Sequence, residues 1–288
     1  MKIFVLAKQV PDTRNVGKDA MKEDGTINRG ALPAIFNPED LHALEQALII
    51  KDKYPDTEVS ILTMGPPRAA DILREALYRG ADRGYLLTDR IFAGADTLAT
   101  SYALAMAVKH IGNADLILCG RQAIDGDTAQ VGPQVAHKLG LTAITYAEEI
   151  ELNDNKEVIV LRRLEHGVEK VKAALPLLVT VNSSAPACRP RNAKRLQTYK
   201  YALTQTEREN APETVQNLYD KRAHLQIVEL SAETVGADAQ QCGLAGSPTK
   251  VKTIENVSFK AKESRTIADT EQEIEAFVQE LIANHTIG

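Results

Sequence analysis

The residues whose types and spacing could do chemistry concentrate in one run, Cys119-Gly-Arg-Gln-Ala-Ile-Asp-Gly-Asp-Thr-Ala-Gln-Val-Gly-Pro133. An apolar stretch, Ala114 to Leu118, leads in, and an expected helix, Thr128 to Leu139, leads out. Between them lie Gly120, Gly126 and the acidic pair Asp125 and Asp127. A strand that turns sharply into a helix sets the free N–H groups of the helix beside the carboxyl end of a sheet. Open α/β sheets bind nucleotides and their phosphates there. Asp127 or Thr128 can cap such a helix, and glycine at 126 lets a ligand approach the backbone. An ordinary capped strand-to-helix turn has the same spacing, and spacing alone does not separate the two.

Other chemistries find less support. No G-x-G-x-x-G follows a strand, and neither a P-loop nor a G-x-S-x-G elbow is present. Asp125-Gly-Asp127 lacks the further oxygen ligands of a calcium loop, so no metal is expected. The six histidines show no ligand spacing with the cysteines or with one another. With no nucleophile–base pair in evidence, redox work by this chain would need a bound cofactor. The three cysteines, Cys119, Cys188 and Cys242, are odd in number and far apart, which points to a reducing compartment. A net charge of -5 provides no basic field for nucleic acid. The apolar run at the amino terminus is too short for a signal peptide, and no stretch approaches the roughly 20 apolar residues of a membrane span. A cytoplasmic protein without membrane insertion is expected.

The elements that must position the central run are legible on either side of it. Ile3 to Ala7 is continuously apolar, as in a central parallel strand. Pro11 to Pro33 is a long polar excursion. Asn37-Pro38 opens a helix, with Asn37 as N-cap and Leu41, Leu44, Ala47 and Leu48 on one face. Glu58 to Met64 reads as a strand, Pro66-Pro67 opens a helix that Gly80 closes, and Tyr85 to Leu87 is a third strand. Ala95 to Ile111 is a third helix, and Leu116 to Leu118 the fourth strand. Successive strand–helix units predict a doubly wound parallel α/β sheet. From Ile144 the pattern changes. Val158 to Leu161, Val168 to Ala173 and Leu177 to Val181 read as an antiparallel extension. After Ser183 core-like periodicity fades, so residues 1–183 are expected to form the nucleotide-binding domain and 184–288 an arm. The arm carries the basic residues Arg189, Arg191, Lys194 and Arg195, expected to steer an acidic partner, and an amphipathic helix from Glu271 to Ala283.

Motifs spread over nearly the whole chain resemble electron-transfer flavoprotein beta subunits. The central run is similar to the nucleotide loop of that family almost letter for letter. So are Ala7-Lys8-Gln9-Val10-Pro11-Asp12, Asn37-Pro38, Met64-Gly65-Pro66, Gly80-Ala81-Asp82, and the stretch from Arg162-Arg163-Leu164-Glu165-His166-Gly167 through Leu175-Pro176 to Val179-Thr180-Val181. His166 stands where the family carries a small or acidic residue. The resemblance implies the adenine-nucleotide-binding α/β fold and a heterodimer with a larger alpha subunit that carries FAD. It implies a nucleotide site at the backbone of Leu6 and Ala7, at Asn37, Asp40 and Met64, and along Gly120, Arg121, Gln122, Ala123, Asp125, Gly126, Asp127, Thr128, Ala129, Gln130 and Val131.

Many members hold a structural AMP at this site, and electron-bifurcating members hold a second FAD. Two features favour FAD. Members that bind only AMP resemble Asp-Asp-Asp where this chain has Asp125-Gly126-Asp127, and Gly94-Ala95-Asp96-Thr97-Leu98-Ala99-Thr100-Ser101 resembles the bifurcating members. That adds Asp96, Thr97 and Thr100 to the implied site, although Asp96 could simply cap its helix. The implied function is transfer of electrons from NADH to ferredoxin or flavodoxin and, through the alpha-subunit FAD, to an acyl-CoA-type or related flavin-dependent dehydrogenase. The implied docking loop for that dehydrogenase coincides with the basic stretch from Arg189 to Lys200. Gly243 to Val251 resembles a tail motif near the other subunit and the cofactor. A nucleotide-binding module without redox function, such as a stress-type ATP sensor, is the alternative from another class. An adenylating enzyme would need an S-G-G-x-D-S loop, which is absent.

Overall fold

The apolar run at the amino terminus forms a strand, β1 (Lys2–Leu6), in the interior of a ten-stranded sheet. Ile3 and Val5 enter one apolar core, and Phe4 and Leu6 enter a second on the opposite face. Successive side chains of a strand point to opposite faces. A strand covered on both sides therefore reads as continuous apolar sequence, without alternation. The structure, a computed structural model, describes residues 1–12, 33–112, 114–153, 157–249 and 266–284.

Beyond β1, a short antiparallel ladder joins β2 (Gln9–Pro11) to β3 (Ala34–Phe36). Most of the excursion expected between Pro11 and Pro33 lies outside the described residues. There follow α1 (Pro38–Lys53), β4 (Glu58–Met64), α2 (Ala70–Arg79), β5 (Arg83–Leu87), α3 (Thr97–Ile111), β6 (Leu116–Gly120) and α4 (Val131–Leu139). Leu44 and Leu48 of α1 and Leu73 and Leu77 of α2 fill the first core. Leu104 and Val108 of α3 and Val135 and Ala136 of α4 fill the second. β4 and β5 lie to one side of β1, and the chain then crosses back to lay β6 on the other. That reversal opens a crevice at the carboxyl ends of β1, β4 and β6, the place where doubly wound sheets receive ligands.

The second half corrects two expectations. β7 (Thr142–Leu152), β8 (Glu157–Leu164) and β9 (Gly167–Ala174) form the antiparallel extension. β10 (Leu177–Val181) does not belong to it, because it inserts between β6 and β7 and runs parallel to both. All five of its residues are buried, so its apolar run has the same cause as that of β1. β7 is hard to recognise because its inward residues, Ile144, Ala147 and Ile150, fall at every third position. Register shifts on both of its neighbours and a left-handed backbone at Tyr146 (φ 61°) consume the extra residues, as β-bulges do.

The compact unit also does not close at 183. It continues to Lys252, and a second unit comprises Thr253–Gly288. After β10 come α5 (Ala193–Tyr199), β11 (Leu203–Thr204), α6 (Gln205–Glu209), α7 (Glu213–Lys221) and β12 (Gln226–Leu230). β12 extends the main sheet parallel to β5, and β11 pairs with β12. Tyr199, Ala202 and Tyr219 enter the first core. They are single apolar anchors on otherwise polar segments, which a search for periodicity passes over. The basic residues expected to meet a partner are largely used inside the chain. Arg189 pairs with Glu45 (2.9 Å) and Asp52 (2.8 Å), and Arg191 with Glu75 (3.4 Å). Arg195 donates to the carbonyls of Leu77 and Ala81, at the end of α2. These contacts fasten the segment onto α1 and α2. In the second unit, α8 (Glu271–Ala283) leaves Ile274, Val278 and Ile282 exposed on successive turns. Among the described residues no helix is long and apolar enough to cross a membrane.

The position of the boundary has a direct test. A chain ending at Lys252 is expected to keep one cooperative thermal transition, followed by circular dichroism. A chain ending at Ser183 loses β11 and β12, uncovers the edge of β5 and removes Tyr199 and Tyr219 from the core. It is expected to lose cooperative melting altogether.

Candidate functional site

The loop after β6 is held by the first turn of α1. Asn37 is wholly buried, yet its side chain does not cap its own helix. Its amide nitrogen donates to the Gln122 carbonyl (2.9 Å), and its oxygen accepts from the Ile124 amide (3.2 Å). Glu39 accepts from the Gln122 amide (3.0 Å) and from the Arg121 guanidinium (2.9 Å). Asp40 accepts from the amides of Gly120 (2.9 Å) and Lys8 (2.8 Å). Both carboxylates sit at the positive end of the helix, where anions are favoured. One turn thus grips the backbone at 120, 122 and 124 and joins it to the end of β1. Gly120 has no substitute here, since a Cβ would lie 2.6 Å from an Asp40 oxygen and from the Glu39 carbonyl carbon.

Beyond the grip, the loop turns across the mouth of the crevice. The expected helix start is corrected: α4 begins at Val131, its N-cap is Gln130, and no side chain caps it. Neither Asp127 nor Thr128 performs that role, because Asp127 and Ala129 take left-handed backbone angles (φ 50° and 52°). Such angles cost about 1–2 kcal/mol for an L-residue, less for aspartate than for alanine. Among the described residues the amides of Thr128, Ala129, Gln130 and Val131 find no acceptor. They form a row of free donors at a helix N-terminus, a ready anion site. Gly126 lies on the same wall, and a Cβ placed there meets nothing within 4 Å. Gly132 answers to packing instead, with a Cβ position 2.8 Å from the Cys119 sulfur.

The opposite wall is the start of α3. Asp96 caps it by accepting from the amides of Leu98 (2.9 Å) and Ala99 (3.0 Å). It also accepts from the hydroxyl (2.7 Å) and amide (3.1 Å) of Thr249, so it ties the tail motif to the helix. Although its partial burial acts upward, hydrogen bonds from Thr249, Ala99 and Leu98 hold its carboxyl below the usual range. Thr97 donates to the Gln130 side chain (2.9 Å) and so links the two helix starts. Two helix N-termini therefore face one cleft of about 400 Å³. Its apolar end is walled by Leu6, Met64, Phe92 and Leu104.

Of the residues expected at the site, Leu6, Ala7, Asp40, Met64, Asp96, Thr97, Thr100, Gly120 to Ala123 and Gly126 to Val131 line this cleft. Asn37 and Asp125 do not. Asn37 lies behind the loop, and the Asp125 carboxylate is drawn to Lys8 (2.8 Å). Lys8, Phe92, Leu104 and Cys119 line the cleft without having been anticipated. Leu104 was accessible, since Thr97, Thr100 and Leu104 share a helix face. Burial pushes the Cys119 thiol far up, so it is an unreactive floor. Among the described residues no cluster of His, Cys, Asp or Glu is placed to hold a metal.

Comparison with known proteins bears on this cleft. The family described as "Electron transfer flavoprotein domain" matches residues 24–206. The chain is 44% identical over 252 residues to the caffeyl-CoA reductase-Etf complex subunit CarD of Acetobacterium woodii, covering 87% of this chain and 86% of that one. It is 44% identical over 260 residues to the electron transfer flavoprotein subunit beta of Megasphaera elsdenii, covering 88% and 87%. With the protein FixA of Bradyrhizobium diazoefficiens it shares 39% identity over 288 residues, covering 98% and 91%.

The grip carries a pH signature. Burial raises the Asp40 carboxyl to about 7, against the lowering effect of the Lys8 and Gly120 amides. A folded value above the unfolded one means stability that is full below about pH 4 and is lost as pH rises to 7. The linked loss is on the order of 4 kcal/mol. Asp40→Asn cannot ionise, although its NH2 group opposes one backbone donor at a constant cost of about 1–3 kcal/mol. The advantage of wild type over Asp40→Asn, read by denaturant unfolding, is expected to shrink from pH 4 upward and to reverse by pH 7.5, because the linked loss of about 4 kcal/mol exceeds the constant cost of about 1–3 kcal/mol. An advantage of wild type that grows with pH would mean that Asp40 stays ionised in the fold.

Proposed function

The chain belongs to the electron transfer flavoprotein family as a beta-type subunit, and from that premise we propose that it holds FAD in the cleft and works as the small subunit of a heterodimer. One observation carries the choice of FAD over AMP: the space in front of Gly126 is open, and two helix N-termini converge on it. A carboxylate at 126 would stand in the path of a second phosphate, whereas glycine leaves only backbone donors. The residues present suit such a group. The free amides from Thr128 to Val131 and the dipoles of α3 and α4 offer charge to a diphosphate, and Arg121 keeps a buried Nε without a partner among the described residues. Leu6, Met64, Phe92 and Leu104 offer a flat ring system an apolar wall.

Bound there, a flavin supplies acceptance of a hydride from NADH and its division into single electrons, toward ferredoxin or flavodoxin and, through FAD of the larger subunit, toward an acyl-CoA-type or related dehydrogenase. The protein's own share is positional. The α1 grip holds the loop at fixed distance from β1, Thr97 and Gln130 couple the two helix starts, and Asp96 closes the tail motif over the rim. No side chain is assigned as acid or base. The second unit, whose α8 exposes Ile274, Val278 and Ile282, is the segment we assign to the larger subunit. The name of CarD, a subunit of a reductase–Etf complex, accords with assembly of this kind.

The test is the flavin count per heterodimer, with the released nucleotide identified by chromatography. Two FAD are expected; one FAD with AMP would make this a structural-AMP subunit. Gly126→Asp is expected to lower FAD affinity about a hundredfold, since a carboxylate ~6 Å from one phosphate charge costs roughly 3 kcal/mol at an effective dielectric near 20. Two flavins and full NADH-dependent ferredoxin reduction in that variant would remove Gly126 from the argument.

A further inference from the structure

The nucleotide loop carries two carboxylates where an anion is to bind, and both are restrained by neighbours. Asp127 accepts from the Gln122 side chain (2.8 Å). Asp125 accepts from the Lys8 ammonium through both oxygens (2.8 and 2.9 Å). Lys8 lines the cleft, whereas Asp125, like its neighbour Ile124, does not. Both ends of the pair are prepositioned by the same turn. The Lys8 amide donates to Asp40, the Lys8 carbonyl accepts from the Asn37 amide (2.9 Å), and Asn37 holds the Ile124 amide beside Asp125.

We propose that Lys8 is a positioning residue for the nucleotide: it draws the Asp125 carboxylate away from the cleft and neutralises it, so that the loop amides meet a ligand diphosphate without an opposing charge. This rests on the cleft being the nucleotide site. The role differs from that of a lysine that binds phosphate directly, because the binding contribution passes through Asp125. Without Lys8 the carboxylate is free to turn toward the unpaired amides that begin at Thr128 and compete with the ligand for them. The pair is half open to solvent, with side-chain exposures of 49% and 26%, so its effect is modest and sensitive to salt.

A four-protein comparison separates the possibilities: wild type, Lys8→Met, Asp125→Asn and the double variant, each co-expressed with the larger subunit. After removal of bound nucleotide, ADP is titrated by calorimetry at low and high salt. Lys8→Met is expected to weaken ADP binding about two- to fivefold, roughly the worth of one exposed ion pair. Asp125→Asn binds as wild type or tighter, and the double variant recovers to near wild type. Lys8→Arg, which keeps the charge, retains affinity and shows that the site is folded. Additive loss in the double variant would overturn the proposal in favour of direct phosphate binding by Lys8. An unchanged Lys8→Met would overturn it outright. Failure of wild type to bind ADP would remove the nucleotide reading of the cleft itself, and the proposal with it.

Discussion

Everything at the crevice depends on the hydrogen bonds between the first turn of α1 and the backbone of the loop after β6. Asn37, Glu39 and Asp40 are all nearly or wholly buried, and each satisfies main-chain groups of the loop or of the strand end before it, Glu39 holding the Arg121 guanidinium as well. Leaving one such buried group unpaired costs about 1–3 kcal/mol, so the set is stable only when complete. The turn also holds the amide and carbonyl of Lys8. Three separate parts of the chain, the end of β1, the start of α1 and the loop after β6, thereby become one rigid corner.

Rigidity at that corner makes strain affordable next to it. Asp127 and Ala129 sit in left-handed conformations beyond the gripped residues, in the stretch that lines the cleft and whose amides from Thr128 to Val131 find no acceptor among the described residues. A loop free to relax would lose those angles or satisfy the amides internally. With the base of the loop fixed and α4 anchored by the close approach of Gly132 to Cys119, the donors stay unpaired and available. The α3 side follows the same logic, because Asp96 spends its carboxylate on the helix start and the tail motif together. Gly243 and Gly246 permit that closure, as a Cβ at either would lie 2.1 Å from backbone atoms.

The segment after 183 shows how charge can be misread in isolation. Arg189, Arg191 and Arg195 form a basic run in sequence, yet in the fold they meet Glu45, Asp52, Glu75 and two carbonyls at the end of α2. A guanidinium beside helix carbonyls is a capping interaction, favoured by the dipole. The run thus works as stitching that carries the chain across α1 and α2 to β11 and β12. The apolar residues left exposed at regular helical spacing belong to α8, in the second unit.

Local chemistry was enough to read much of the protein from the sequence. Continuous apolar runs marked β1 and β6, Pro38 and Gly80 marked helix limits, and α8 ends where its periodicity does, because each of these signals acts over a single turn or strand. The loop from Gly120 to Val131 was recognisable as a turn between strand and helix for the same reason, since such a turn is a local object. Other features arose only in three dimensions. β10 lies parallel between β6 and β7, a matter of which edge was open. The bulges in β7 broke its period of two, and Tyr199 and Tyr219 gain their meaning from a core built by residues far away. The loop partners of the Asn37 side chain are more than 80 residues distant, and Lys8 and Asp125 are 117 apart. Pattern reveals which residues want burial or a cap, but which polar atom meets which is decided by the packing that brings them together.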